Sequence, residues 1–143
     1  MSRFIRSARN EDVIYVSAQG YGLGGPFGEM PAFGPLNACF AGFHLLWNHP
    51  EAPYPAGTTL NHPDHITGKL LAVSVLAALD HRERTGQGQR LEASLAETVA
   101  YFVGDIYLDA ARLDRDPEPL GNRHPAAAPH GVYPCDGDDS WIA

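Results

Sequence analysis

Residues 60–94, LNHPDHITGKLLAVSVLAALDHRERTGQGQRLEAS, decide the class of fold. Ile66, Leu70, Val73, Leu76, Ala77 and Leu79 recur near a 3.6-residue period, which predicts a helix running from His65. His81, Arg82 and Arg84 fill its last turn, where cations suit the negative helix end, and Gly86 supplies the stop. Gln89 to Leu95 then alternates as a short strand, and AETVAYFVGDIYLDAARL, Ala96 to Leu113, reads as a second amphipathic helix. Upstream, Val13 to Ser17 is a β-branched and aromatic run that predicts a buried strand. Strands and helices therefore alternate, and the class is α/β, with too few strands for a complete doubly wound sheet.

The connections are equally legible. Six glycines and three prolines between Gly20 and Pro35 force a loop after the first strand. Leu36 to Trp47, LNACFAGFHLLW, carries apolar and small residues on nearly every side, as a buried helix does. Asn48 to Asp64 is punctuated by proline and predicts a loop with at most a short extended piece. Asp114 to His130 is a linker rich in proline and glycine, and GVYPCDGDDSWIA, 131–143, reads as two short strands around an Asp136-Gly137 turn. A chain that starts just before a strand and stops within a hairpin is expected to be a segment of a longer protein, with strand edges and apolar helix faces left uncovered.

Composition excludes several classes. The 143 residues are 44% hydrophobic and 19% charged, enough for one modest core. A formal net charge of -7, with no run of Lys or Arg, argues against nucleic acid as a partner. The opening MSRFIRSARNEDV lacks the apolar region of a signal peptide, and no apolar stretch approaches the roughly 20 residues that span a bilayer. A cytoplasmic location without a membrane partner is expected, with Cys39 and Cys135 reduced and unpaired.

Chemistry concentrates in NHPDH, residues 61–65. His62, Asp64 and His65, with His49, could supply metal ligands, but the spacing is not HExxH, no cysteine assists, and the neighbours Asp64 and His65 diverge. No metal is expected. Asp64 as the N-cap of the helix is the plain structural reading, and the positive end of the macrodipole there favours the ionised carboxylate. Such a carboxylate beside a proline-rich loop is also a candidate nucleophile. His62 and His65 could orient an acyl oxygen, although capping or solvation accounts for either.

Four stretches carry a resemblance: Ser17 to Pro26, Asp64 to Gly68, Ala78 to Gln89, and Gly131 to Gly137. In these patterns, SxxGxGxxGP after a strand, DxxxG opening a helix, ALxxRxxTGxGQ closing it, and a later GxYxxDG, the chain resembles the family III CoA-transferases of the CaiB/BaiF type. Formyl-CoA and carnitine CoA-transferases and α-methylacyl-CoA racemases belong to that family. The resemblance covers nearly the whole chain and implies part of the large Rossmann-like CoA-binding domain over 1–113, a linker over 114–130, and the start of a smaller α+β domain over 131–143.

The resemblance also implies the chemistry. The family's catalytic aspartate falls on Asp64, which would attack an acyl-CoA thioester to give an aspartyl acyl anhydride and CoA thiolate before a second carboxylic acid leaves as the new thioester. Gly20, Gly22, Gly24, Gly25 and Phe33 are the implied contacts to the pantetheine and acyl end of CoA. The racemases add a histidine that falls on Phe33, a side chain unable to accept a proton, so transfer is expected over racemisation; His44 and His49 are weak substitutes. The substrates implied are an acyl-CoA and a carboxylic acid acceptor, with CoA thioester the only cofactor, and the assembly implied is an interlocked homodimer. Most nucleotide contacts lie in a family segment without counterpart before Met1, and a second-domain glycine loop would lie beyond Ala143. The chain alone is therefore expected to hold the nucleophile, to lack the full CoA site and to be inactive, as a truncated non-catalytic member would also be.

Overall fold

The computed structural model describes residues 10–53 and 60–143. The expectations for Met1–Arg9 and for Tyr54–Thr59, including any extended piece of the proline-rich loop there, lie outside the described residues. The chain divides into two units, one of residues up to Ala41 together with Asn61–Phe102, the other of Gly42–Leu60 and Val103–Ala143.

In the first unit, β1 (Tyr15–Gln19) pairs in parallel with β2 (Arg90–Ser94), in a register that sets Tyr15 opposite Arg90 and Gln19 opposite Ser94. Parallel neighbours require a crossover, and the helix α3 (His62–Thr85) lies within it. The α/β class holds. β1 starts two residues later than its apolar run, because Val13 first passes the turn at Gly86–Gly88: Gly88 N–H donates to Glu11 O at 3.0 Å and Tyr15 N–H to Gln89 O at 2.9 Å. A Cβ at Gly88 would fall on the carbonyl of Val13, so only glycine admits this approach. β1 also alternates between half-buried and exposed residues rather than being buried throughout.

The helix expected over Leu36–Trp47 is two pieces. α1 (Gly34–Phe40) ends where Gly42 turns left-handed at φ 67°, and α2 (Phe43–Leu46) belongs to the second unit. Leu36 and Phe40 are exposed, which corrects the reading of a wholly buried helix. α1 packs against α3 and against α4 (Leu95–Phe102), and the core between them is small: Ala38, Ala78, Ala96 and Val99 with the buried polar Asn37 and Thr67. Small side chains let helix backbones approach closely, which explains why alanine dominates here. The outer face of α3 leaves Leu70, Val73 and Leu76 exposed, Leu76 by 66%, as expected of an uncovered apolar face.

α3 begins at His62, three residues before the expected start, with Asn61 as N-cap. Asp64 is thus the third helical residue and not the cap. Pro63, buried in the first turn, explains the shift, since proline's fixed φ and missing N–H cost nothing at a helix start. The stop is as read: Gly86 is left-handed at φ 72°, and its N–H donates to Arg82 O at 2.7 Å.

The second unit holds α2, α5 (Gly104–Leu113) and the C-terminal segment. The helix expected across 96–113 breaks at Val103, and Gly104, a poor residue inside a helix, opens α5 instead. Partial burial pushes the Tyr107 phenol of α5 above its ordinary range. Within the linker Gly121 N–H donates to Asn48 O at 2.9 Å. β3 (Tyr133–Pro134) pairs antiparallel with β4 (Trp141–Ile142), but the connection is longer than a tight Asp136-Gly137 turn: Cys135 N–H donates to Ser140 O at 2.8 Å, closing a loop in which Gly137 and Asp139 both have positive φ. No helix among the described residues is long and apolar enough to cross a membrane.

Candidate active site

Asp64 projects from the first turn of α3, exposed to solvent, where the free N–H groups of the helix concentrate partial positive charge. Asp64 is met there by α1. Gly34, the first residue of α1, is buried against it: a Cβ built on Gly34 would fall on Asp64 Oδ2 and lie 3.2 Å from Asp64 Cγ and 3.1 Å from Asn61 Cβ. The carboxylate thus occupies the space that any side chain at position 34 would need.

One turn behind this contact lies a polar layer. Asn37 is fully buried, and its Nδ2 donates to Phe33 O at 3.1 Å, a carbonyl that also receives Asn37 N–H at 3.2 Å. Asn37 Oδ1 and the buried Thr67 hydroxyl have no hydrogen-bond partner among the described residues. Asn37 and Thr67 each lie three residues beyond Gly34 and Asp64 in α1 and α3.

The glycine loop is built at the exit of β1. The Gly20 carbonyl receives the Ser94 hydroxyl at 3.2 Å and Ala96 N–H at 3.0 Å, while Ser94 Oγ accepts Glu97 N–H at 3.3 Å. Ser94 therefore starts α4 and holds the loop in place at once. Gly22 and Gly24 are left-handed at φ 79° and 80°, and Gly28 folds back so that a Cβ there would lie 3.0 Å from Gly22 O. Tyr21, Phe27 and Phe40 form a triangle of rings with centroids 5.0 to 5.9 Å apart, fastening the loop to α1. Beside the loop opens a cavity of about 240 Å³, lined by Gly22 and Gly25 together with Ser17, Gln19, Glu92 and Glu97.

The expected site residues are thus distributed in two places. Gly22 and Gly25 line the cavity, Gly20 is tied to its Ser94 wall, and Gly24 faces open space. Phe33 is exposed at the entry to α1, as the residue before Gly34. Asp64 is not among the residues that line the cavity. His65 is exposed and His62 half-buried in the first turn of α3, and the described residues contain no group of three or more His, Cys, Asp or Glu placed to hold a metal ion.

Three residues at these places escaped the sequence reading. Ser94 had a signal, since Ser94-Leu-Ala-Glu97 is a capping box before an apolar run. Asn61 is a good N-cap residue that the more conspicuous Asp64 obscured. Gly34 had none, because its contact crosses 30 residues of chain.

The sequence profile of CoA-transferase family III matches residues 5–143. The chain belongs to the family III CoA-transferases. This family III CoA-transferase chain is 33% identical over 141 residues to a probable CoA-transferase of Mycobacterium tuberculosis, covering 94% of this chain and 17% of that protein. It is 29% identical over 126 residues to the acetyl-CoA:oxalate CoA-transferase of Acetobacter aceti, covering 87% and 32%. The crystal structure of a CaiB/BaiF family protein from Brucella suis matches with a TM-score of 0.80 at 25% identity, over 92% of this chain and 34% of that one. The chain spans between 17% and 34% of the length of these relatives.

Proposed function

We propose that the protein carrying this sequence transfers CoA between two carboxylic acids, with Asp64 as the nucleophile. The observation that carries this reading is the exposed Asp64 carboxylate in the first turn of α3, with the bare Gly34 against it, in a chain of this family. A carboxylate oxygen attacks the thioester carbonyl carbon, the C–S bond breaks, and CoA leaves as thiolate without needing a proton. The aspartyl acyl anhydride that results is then attacked at the Asp64 carbonyl by the thiolate, which expels the first acid as its carboxylate and leaves CoA on the aspartate. The second acid's carboxylate runs the same two exchanges in reverse, leaves as the new thioester, and frees Asp64.

Gly20, Gly22, Gly24 and Gly25 are proposed to receive the pantetheine and acyl end through backbone amides, and Phe33 to flank the acyl group. Phe33 is hydrocarbon, with nothing to accept an α-proton, which supports transfer over racemisation. The names of relatives, acetyl-CoA:oxalate CoA-transferase and succinyl-CoA–D-citramalate CoA-transferase, point to acetyl-CoA and succinyl-CoA as first donors to assay. An interlocked homodimer in the cytoplasm completes the proposal. The test is CoA exchange from either donor to a panel of acids, with Asp64→Ala: exchange that survives the substitution contradicts the assignment, and α-deuteration without exchange would replace it with racemisation.

A further inference from the structure

Gly34 is the first residue of α1, and its φ is not positive, so its backbone conformation is open to any residue. Nor does the helix ask for glycine, which is among the poorest residues for helix formation. What remains is space. Of the three atoms nearest to a Cβ built there, two belong to the Asp64 carboxyl group and one is Asn61 Cβ. Gly104 provides the contrast: it too opens a helix without positive φ, and a Cβ there meets nothing within 4 Å.

We propose that Gly34 is a positioning residue for the nucleophile: its missing side chain leaves the pocket in which the Asp64 carboxylate is held for attack. The inference rests on Asp64 as nucleophile and adds the element that fixes its rotamer. A methyl at position 34 meets the tip of a short side chain that can rotate and, at 3.1 Å, Asn61 Cβ, which need give by only a few tenths of an ångström, so the carboxylate swings away while the fold of α1 and α3 is kept. Attack geometry is unforgiving, with misplacements of about 1 Å costing on the order of 100-fold in rate.

The test compares Gly34→Ala, Gly104→Ala and Asp64→Ala in the protein that carries this sequence, using succinyl-CoA or acetyl-CoA as donor. Gly34→Ala is expected to lower kcat on the order of 100-fold with KM for the donor within about twofold of wild type and an unchanged melting transition. Gly104→Ala is expected to match wild type, and Asp64→Ala to abolish exchange. Exchange surviving in Asp64→Ala sinks the nucleophile reading itself. With Asp64→Ala dead, the positioning role is overturned by a Gly34→Ala enzyme of wild-type kcat, by a loss confined to KM, or by a Gly34→Ala protein that fails to fold, since the backbone would then be bearing the clash.

Discussion

Gly34 and Asp64 occupy one another's space: the carboxylate oxygen Oδ2 stands where the first side-chain atom of residue 34 would be. Thirty residues apart in the chain, they meet because α1 packs on α3, and Ala38 and Ala78 of these two helices are nearly inaccessible. Close helix approach, a bare position and an exposed carboxylate are therefore one arrangement. It is the part of the fold on which the proposed chemistry depends.

The turn that follows α3 separates two uses of glycine. Gly86 needs a left-handed conformation, and Gly86→Ala is expected to cost about 1–2 kcal/mol. Gly88 needs room, since its Cβ would fall on a backbone carbonyl that cannot rotate aside, and Gly88→Ala is expected to cost about 3 kcal/mol or more. Urea unfolding of the two variants checks the order; a Gly88→Ala protein no less stable than Gly86→Ala would contradict the packing of residues 11–13 beside this turn.

Ser94 links the start of α4 to the Gly20 carbonyl. Ser94→Ala removes both bonds and is expected to destabilise by about 1–2 kcal/mol and to speed proteolysis within the glycine loop. Ser94→Thr, which keeps the hydroxyl, should recover most of the stability. Equal cleavage rates in wild type and Ser94→Ala would show that the loop does not depend on this anchor.

Asn37 tests the polar layer one turn behind Asp64. Asn37→Ala frees the Phe33 carbonyl from one bond and leaves a small void, at an expected cost of about 1–3 kcal/mol. Asn37→Asp places a carboxylate in a fully buried position and should cost more than the alanine. Denaturant midpoints read both, and an aspartate variant at least as stable as the alanine variant would mean that water reaches this layer.

Local patterns were legible in the sequence wherever the signal was local. The long helix stop at Gly86, the strand over Arg90–Ser94 and the loop from Gly20 onward follow from periodicity, a single conformational demand, or composition. Boundaries slipped where two local signals competed. Asp64 outshone Asn61 as a cap, although Pro63 fits best inside the first turn, and a continuous apolar run hid the breaks at Gly42 and Gly104. Leu36 and Phe40 are exposed within an apolar stretch because apolar content reports capacity for burial, not the presence of a covering surface. Asp64 stood out by its place in a pattern. Gly34 did not, because no spacing along the chain records a contact made by helix packing.

The proposed transfer turns on acylation of Asp64. Incubating the protein that carries this sequence with acetyl-CoA or succinyl-CoA, quenching with hydroxylamine and sequencing the peptides by mass spectrometry reads it directly. A hydroxamate on Asp64 is expected, absent from Asp64→Asn protein whose fold is retained at a cost of no more than about 1 kcal/mol. Rapid CoA exchange with an unmodified Asp64 peptide, or a hydroxamate on a different carboxylate, would contradict it.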